Sequence, residues 1–328
     1  MSAYASTPVV ALDQIRFVGS GLHRPECVLA TRAGDLYSAD WRGGVARTAA
    51  DGRSTLLAQA VLPGDRPLRP NGIALRSNGN FLLADLGETQ GGVFELTRTG
   101  QVLPLLERVE GRDLPPTNFV HEDRWQRIWI TVSTSRQPRS AAYRGDVADG
   151  FIVLLTSTGA RVVAEGLGYT NEALPSPDGQ WLYVNETFGR RLSRFPLRAD
   201  GSLGVKQIVT TFGAGTFPDG LSFDEKGDVW ITSIVSNRVI RVAADGSQSL
   251  VVEDCDSAHL ARCEAAFEAG TMGRSHLDTC GGRLLRNISS LAFGGADRRT
   301  AYLGCLLGDA IACFRTPIAG QAPVHWEF

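Results

Sequence analysis

The sequence lacks the features that mark membrane-spanning, nucleic-acid-binding and exported chains. In 328 residues, no apolar run approaches the roughly 18 residues that a membrane span needs. Acidic and basic side chains nearly balance, at a net charge of -2, so no excess of one sign favours nucleic acid or an anionic membrane. The first residues carry neither a basic stretch nor a long apolar one, so no secretory signal is expected. These absences predict a cytoplasmic protein that binds neither nucleic acid nor membrane.

The cysteines also lack a familiar arrangement. Six are present, and no CxxC pair or common zinc-binding spacing occurs among them. Without an export signal, reduced thiols are the expected state. Cys255, Cys263 and Cys280 fall close together, so a disulfide among them, or a zinc site that adds His276, is the alternative.

What the sequence does contain is a repeat. Six segments share one pattern: a polar residue after Pro, Thr or Ile, a short apolar stretch, a turn rich in Gly and Asp, and a second apolar run. This pattern predicts a strand, a hairpin turn and another strand. The segments are 25–40, 70–85, 117–132, 170–185, 218–233 and 288–303.

The spacing of the repeat predicts the architecture. The polar residues that open the segments are separated by 45, 47, 53, 48 and 70 residues. Repeats of roughly 40–50 residues with about four strands each are typical of propeller blades. The sequence therefore predicts an all-β, six-bladed β-propeller with four-stranded antiparallel blades around a central channel, as one domain over residues 1–328.

Two of the intervals are long and indicate insertions, at 134–150 and at 247–286. The first is polar and rich in turn residues, so an extended loop over one face is expected. The second contains a helix-like stretch at 257–270. Long loops on a rigid scaffold often shape a binding site. For the second insertion, a peripheral position on the outer edge of a blade is an equally good interpretation.

The residues that open the six segments hold equivalent positions in the repeat. Because pseudo-symmetry relates such positions in a propeller, all of them face the channel if one does. Each carries a side-chain oxygen, and this donor suits a hard cation such as Ca²⁺, Mg²⁺ or Mn²⁺. Asn-Gly and Asp-Gly are also common turn pairs, and a water-filled polar channel without a metal is the alternative. The six residues, called the channel ring below, are Glu26, Asn71, Asn118, Asn171, Asp219 and Ser289.

Four segments of the chain resemble the SMP-30/gluconolactonase/LRE-like family, which includes regucalcin and bacterial sugar lactonases. The more specific ones are TNEALPSPDGQWLYVNET at 170–187 and FPDGLSFDEKGDVWIT at 217–232, beside PE at 25–26 and TN at 117–118. With the blade spacing, the resemblance covers most of residues 15–315. It implies a small-molecule substrate and a hydrolase of the carboxylic ester class that opens a lactone.

The resemblance also implies a metal site. In that family a Glu, an Asn and an Asp hold one divalent metal, and by position these are Glu26, Asn171 and Asp219. A further Asn close to metal or substrate corresponds to Asn118. Ca²⁺ is the first expectation for the metal, and Mg²⁺, Mn²⁺ or Zn²⁺ are the alternatives.

The chain departs from the family pattern at three points. Glu26 is not followed by the usual Gly-Pro, and Asn171 precedes Glu172 where the family has Gly. Pro116 stands where sugar lactonases often carry an Arg that holds substrate hydroxyls. A less polar lactone, or another ester-like substrate, is therefore as good an expectation as a gluconolactone.

The reaction implied is the opening of a lactone ring by water that the metal activates. Asp219 would act as ligand and general base, while Glu26 would hold the metal from across the channel. Asn118 would orient the carbonyl group, and Asn71 would orient the water.

A serine nucleophile and a histidine proton donor are the alternatives to this scheme. No G-x-S-x-G motif is present, which argues against a serine nucleophile. For His23 a proton donor at the pocket mouth and a plain surface-loop histidine are the two interpretations. The predicted substrate-binding residues are Asn118, Asn71, His23 and Ser289.

Two rival functions share the same scaffold. One is a non-enzymatic binding propeller with a structural metal in the channel. The other is a strictosidine-synthase-like or phosphotriesterase-like enzyme. A channel ring with two carboxylates argues against the first, because a purely structural site needs no open coordination positions. Both a monomer and a homo-oligomer are compatible with the sequence.

Overall fold

The computed structural model describes residues 8–279 and 281–328. These residues form six four-stranded antiparallel sheets. The innermost strand of each sheet packs against the innermost strand of the next, and the sixth returns to the first. The predicted six-bladed β-propeller is confirmed.

The first half of the chain supplies three blades, with strands numbered in chain order. Strand β1 (Arg16–Val18) belongs to the last blade. Two small hairpins separate the blades, β6 (Val61–Leu62) with β7 (Arg66–Pro67) and β12 (Arg108–Val109) with β13 (Arg112–Asp113). The blades are β2 (Val28–Ala30), β3 (Leu36–Asp40), β4 (Gly44–Thr48), β5 (Ser54–Leu56); β8 (Pro70–Leu75), β9 (Phe81–Asp85), β10 (Gly92–Leu96), β11 (Val102–Leu106); and β14 (Thr117–Glu122), β15 (Ile128–Val132), β16 (Gly150–Thr156), β17 (Gly159–Leu167).

The second half supplies the other three blades. They are β18 (Thr170–Pro175), β19 (Trp181–Glu186), β20 (Arg191–Pro196), β21 (Gln207–Thr211); β22 (Thr216–Phe223), β23 (Val229–Val235), β24 (Arg238–Val242), β25 (Gln248–Glu253); and β26 (Ile288–Gly294), β27 (Thr300–Cys305), β28 (Ile311–Arg315) with β1. Because β1 pairs with β28, opposing Phe17 with Ala312, the N-terminal segment completes the last blade and closes the ring.

The apolar runs of the sequence are the strands that lie between neighbouring blades. All residues of β9 and β15 are buried, because each inner strand has a blade packed on both of its faces. The outermost strands are more exposed, as in β21, because no further strand pairs with their outer edge. This difference explains why FLLAD and IWITV are continuous apolar runs rather than alternating patterns.

The second insertion begins later than the sequence predicted. Residues Gln248–Glu253 form the fourth strand of blade five, so the predicted start at 247 was wrong and the insertion follows that strand. It contains α1 (Ser257–Glu268) and the short α2 (Arg274–Leu277). The Asp256 carboxylate accepts a hydrogen bond from His259 N at 2.7 Å and caps α1, and Gly270 with φ +66° ends it.

Both insertions leave the propeller on the side where the channel ring lies. The first follows β15, whose last residue Val132 pairs with Thr117 beside Asn118, and it contains a short 3-10 helix at Arg139–Ala142. Their side chains meet in one apolar cluster. Within it, the rings of Tyr143 and Phe188 stack at 4.6 Å between centroids. The two insertions thus form a roof on the ring side.

The C-terminal segment crosses the opposite side of the channel. Gln321 N donates to Phe223 O in blade five at 2.8 Å, and Arg32 N in blade one donates to Trp326 O at 2.9 Å. Phe223 and Arg32 each lie at or just beyond the end of an inner strand, away from the channel ring. The channel therefore has a roof of insertions at one end and a C-terminal crossing at the other.

The structure contains only short helices. None of the helices in residues 8–279 and 281–328 combines the length and the apolar character that crossing a bilayer requires.

Candidate active site

The channel ring lies on a row of β-bulges. In blades two to six the pairing of the inner strand shifts at the ring position, for example between Pro218 and Leu221, which flank Asp219. A bulge re-aims a side chain and is common beside active sites. The shared position in the repeat therefore has a shared backbone geometry in these five blades.

The Asn-Gly and Asp-Gly pairs of the ring are not turns. Both lie inside inner strands, β8 and β22. A Cβ atom on Gly72 would stand 2.6 Å from Phe119 Cα, and one on Gly220 would stand 2.5 Å from Ser289 O. Glycine is needed after the ring residue because the backbone of the next blade approaches so closely.

Two ring side chains link neighbouring blades. Asn71 Nδ2 donates to Asn118 O at 3.0 Å, and Ser289 Oγ donates to Glu26 O at 2.8 Å. The Ser289 hydroxyl proton is therefore committed to the backbone of blade one, and only its oxygen lone pairs are available to a substrate. All six ring residues are buried: Glu26, Asn71, Asn118, Asn171, Asp219 and Ser289.

Two amide oxygens of the ring have no hydrogen-bond partner among the described residues. These are Asn71 Oδ1 and Asn118 Oδ1, and both are fully buried. A buried acceptor without a partner costs about 1–3 kcal/mol. Such a cost is offset when a ligand, a water molecule or a cation completes the site, so these oxygens indicate a binding position.

Asp219 is surrounded by other carboxylates. Burial first, and then the charges of Glu26 and Glu172, raise the pKa of Asp219 well above its usual range, while the charge of Arg24 and a hydrogen bond from Asn171 oppose the shift. Asn185 Nδ2 donates to the carbonyl oxygens of Asp219 and Gly220, at 3.0 and 2.9 Å. The bulge that presents Asp219 is thus fixed by side-chain hydrogen bonds.

The charge of Glu172 acts on the ring carboxylate Asp219, and the sequence prediction missed this residue. Its Oε2 accepts a hydrogen bond from Leu221 N at 2.8 Å, which also supports the bulge at Asp219. Burial, with a smaller contribution from the charge of Glu26, raises the pKa of Glu172 to about 8. The available signal was a carboxylate in an otherwise apolar inner strand, next to the ring residue Asn171.

The group that contacts Glu26 is Arg24 rather than His23. The Arg24 guanidinium lies 2.8 Å from Glu26 Oε2 and its carbon is 4.2 Å from the centre of the Trp41 ring. His23 is exposed, and its backbone N–H donates to Asp40 Oδ2 at 3.1 Å. The structure thus agrees with the surface-loop interpretation of His23.

The donors of the ring fit a hard cation. Glu26, Asn171 and Asp219 offer two carboxylates and an amide, and Asn71 and Asn118 add amide oxygens without partners. Oxygen donors of this kind suit Ca²⁺, Mg²⁺ and Mn²⁺. Within the described residues, no three His, Cys, Asp or Glu side chains are arranged to hold a metal ion, so a cation here would depend on the amide oxygens.

The cysteines of the second insertion are not bridged where the structure describes them. Cys255 and Cys263 are free thiols, and Cys263 Sγ lies 3.5 Å from His259 Nε2. Cys280, which the sequence grouped with them, lies outside the described residues. The zinc alternative therefore has no support from the side chains that the structure shows.

Two histidines occupy the end of the channel away from the ring. His121 and His325 line one cavity with Glu122 and Glu172. Burial lowers the pKa of His121 to about 4, against the weaker effect of Asp123. Burial and then the charge of His121 lower the pKa of His325 to about 4. Both rings are therefore neutral at physiological pH.

These histidines predict a loss of stability in mild acid. An unfolded histidine binds a proton below a pKa of about 6.5, whereas the folded His121 and His325 do so only near 4. The free energy of unfolding should therefore fall by about 2 kcal/mol per histidine between pH 7.5 and pH 5. Urea unfolding of His325→Gln should show a smaller drop, and the exposed-site control His23→Gln should match the wild type. An unchanged pH dependence in His325→Gln would contradict this assignment.

The SMP-30/gluconolactonase/LRE-like region matches residues 88–257, which is more than half of the chain. The chain belongs to this family. The resemblance inferred from its motifs is confirmed.

One curated relative in the family is a 6-deoxy-6-sulfogluconolactonase from Pseudomonas putida. It is 32% identical over 176 residues, which cover 52% of this chain and 56% of the relative. The chain thus matches little more than half the length of that protein.

Solved structures of other propellers share the fold across nearly the whole chain. A gluconolactonase from Xanthomonas campestris is 19% identical, with a TM-score of 0.67 over 92% of this chain and 89% of its own. A calcium-binding protein, regucalcin, from Agrobacterium tumefaciens is 18% identical, with a TM-score of 0.66 over 95% and 98%. At these identities the likeness establishes the fold and nothing further.

Proposed function

We propose that this protein hydrolyses a lactone in the channel, with the channel ring as its active site and a divalent cation as its cofactor. The observation that carries the proposal is the buried set of carboxylates and partner-free amide oxygens beneath a roof of insertions. Membership of the SMP-30/gluconolactonase/LRE-like family, and a relative whose name is that of a sugar lactonase, support this reaction class.

The cation would be held by Glu26, Asn171 and Asp219, and Ca²⁺ is the first candidate because every donor is an oxygen. When bound, it would polarise the lactone carbonyl and make water a stronger nucleophile. Its charge would also oppose the like-charge effect of Glu26 and Glu172 on Asp219, and so favour the ionised form of that carboxylate.

The chain's own side chains then have distinct tasks. Asp219 accepts a proton from the attacking water while the oxygen of that water bonds to the lactone carbonyl carbon. Asn71 Oδ1 accepts a hydrogen bond from the second O–H of the water, and the Asn118 amide orients the substrate. The bond between that carbon and the ring oxygen breaks, the ring oxygen takes up the proton, and a hydroxy acid leaves.

A panel of five- and six-membered lactones tests the proposal. Acid release by the wild-type protein is followed in a pH-stat with Ca²⁺, Mg²⁺ or Mn²⁺, and then with excess chelator. We expect turnover of at least one lactone, and we expect the chelator to suppress it. Chelator-sensitive melting without turnover of any lactone would instead favour a binding propeller with a structural cation.

A further inference from the structure

Three arginine side chains lie on the ring side of the channel, from three separate parts of the chain. Arg24 precedes the ring residue Glu26, Arg139 lies in the 3-10 helix of the first insertion, and Arg274 lies in α2 of the second. The charges of Arg139 and Arg274 both act on Arg24, and both also act on Tyr169. These three arginines are called the roof arginines below.

The roof arginines differ in how they are paired with carboxylates. Arg24 shares the Glu26 carboxylate at 2.8 Å, and Arg274 Nε lies 2.9 Å from Asp278 Oδ1. Arg139 has no carboxylate within 4.0 Å among the residues that the structure describes.

The polar contacts of Arg139 are weak. Its Nη2 donates to Ser133 Oγ at 3.3 Å, and its buried Nε has no hydrogen-bond partner in the described chain. The guanidinium carbon lies 5.6 Å from the centre of the Tyr169 ring. An aromatic face holds the side chain in place but cannot satisfy its Nε donor.

We propose that the roof arginines form a subsite for an anionic group, so that the preferred substrate is a lactone with a sulfonate, phosphate or carboxylate substituent away from its ester bond. This inference rests on the proposed lactone hydrolysis. A partly buried guanidinium without a carboxylate partner is stabilised by a bound anion, and an arginine fork matches the oxygens of these groups. The subsite also supplies substrate contacts in place of the arginine that sugar lactonases often carry where this chain has Pro116.

Matched lactones and variants test the subsite. Hydrolysis of D-glucono-1,5-lactone is compared with that of its 6-phospho, 6-deoxy-6-sulfo and 6-carboxylate counterparts, which separate the three possible anions. For the wild type we expect kcat/KM at least about ten times higher for one anionic lactone than for the neutral one. For that substrate, Arg139→Gln and Arg274→Gln should each raise KM by about 10–100-fold, with little change for the neutral lactone.

Two further variants separate charge from folding effects. Arg139→Lys keeps the charge and loses the planar fork, so it should recover part of the lost affinity. Arg53→Gln, on the outer edge of blade one with a side chain that is 85% exposed, should behave as the wild type. Equal losses on neutral and anionic lactones in Arg139→Gln, or no preference for any anionic lactone in the wild type, would overturn the subsite.

A binding measurement separates failure of the subsite from failure of the proposed function. If no lactone is hydrolysed, titration calorimetry with 6-phosphogluconate, 6-deoxy-6-sulfogluconate and glucarate still reports on the roof arginines. Binding that Arg139→Gln weakens at least about tenfold would support the anion subsite while the lactonase proposal falls. Absence of binding to the wild type would remove both.

Discussion

Replacing Asp219 by Asn should lower kcat/KM for lactone hydrolysis by at least about 1,000-fold, since the variant loses a proton acceptor together with a carboxylate ligand of the cation. The side chain keeps its shape and can still accept the hydrogen bond from Asn171, so the ring geometry should persist. The rate is measured in a pH-stat with the best lactone of the panel.

The same substitution should make the protein more stable when no divalent cation is present. Burial and the charges of Glu26 and Glu172 oppose ionisation of Asp219, so an amide removes an unfavourable group from the apo channel. The melting temperature in chelator should therefore rise above that of the wild type. Asp51→Asn, at an exposed carboxylate, serves as the control and should change neither quantity. A fully active Asp219→Asn variant would rule out the proposed role of this residue.

Removal of the divalent cation is expected to produce the second large effect. A ligand present at 100 times its dissociation constant stabilises the native state by about 2.7 kcal/mol, which for a chain of this length corresponds to roughly 5 °C. Wild-type protein should therefore melt at a higher temperature in excess Ca²⁺ than in chelator. Differential scanning calorimetry with both buffers gives the difference directly.

Asn171→Ala should abolish this difference, because it removes one of the three proposed ligands. The matched control is Asn78→Ala, which alters an exposed turn asparagine and should leave the Ca²⁺-induced shift intact even if the baseline stability changes. If the wild type shows no shift with Ca²⁺, Mg²⁺, Mn²⁺ or Zn²⁺, the metal proposal fails.

The repeat allowed the fold and the position of the channel ring to be predicted. Residues at the same position of the repeat have the same backbone geometry in five blades, where this geometry is a β-bulge. The prediction could not extend to features that occur in one blade alone. Glu172 has no counterpart in the other blades, and so it appeared only as a departure from a family pattern.

Features outside the repeat were beyond prediction for the same reason. Arg139 and Arg274 lie in insertions whose meeting depends on apolar packing between distant segments. His325 reaches the channel because the C-terminal segment crosses it, and no periodicity signals that crossing. His121 lies in a strand that the repeat predicts. The sequence could not show that a histidine from another segment would line the same cavity.

A crystal structure with Ca²⁺ and the hydroxy acid product of the best lactone tests the central claim most directly. We expect the product carboxylate to lie at the channel ring, within contact distance of Asp219 and Asn118. We expect the cation to lie between Glu26, Asn171 and Asp219. Product bound in the cavity beside His121 and His325, or outside the channel, would contradict it.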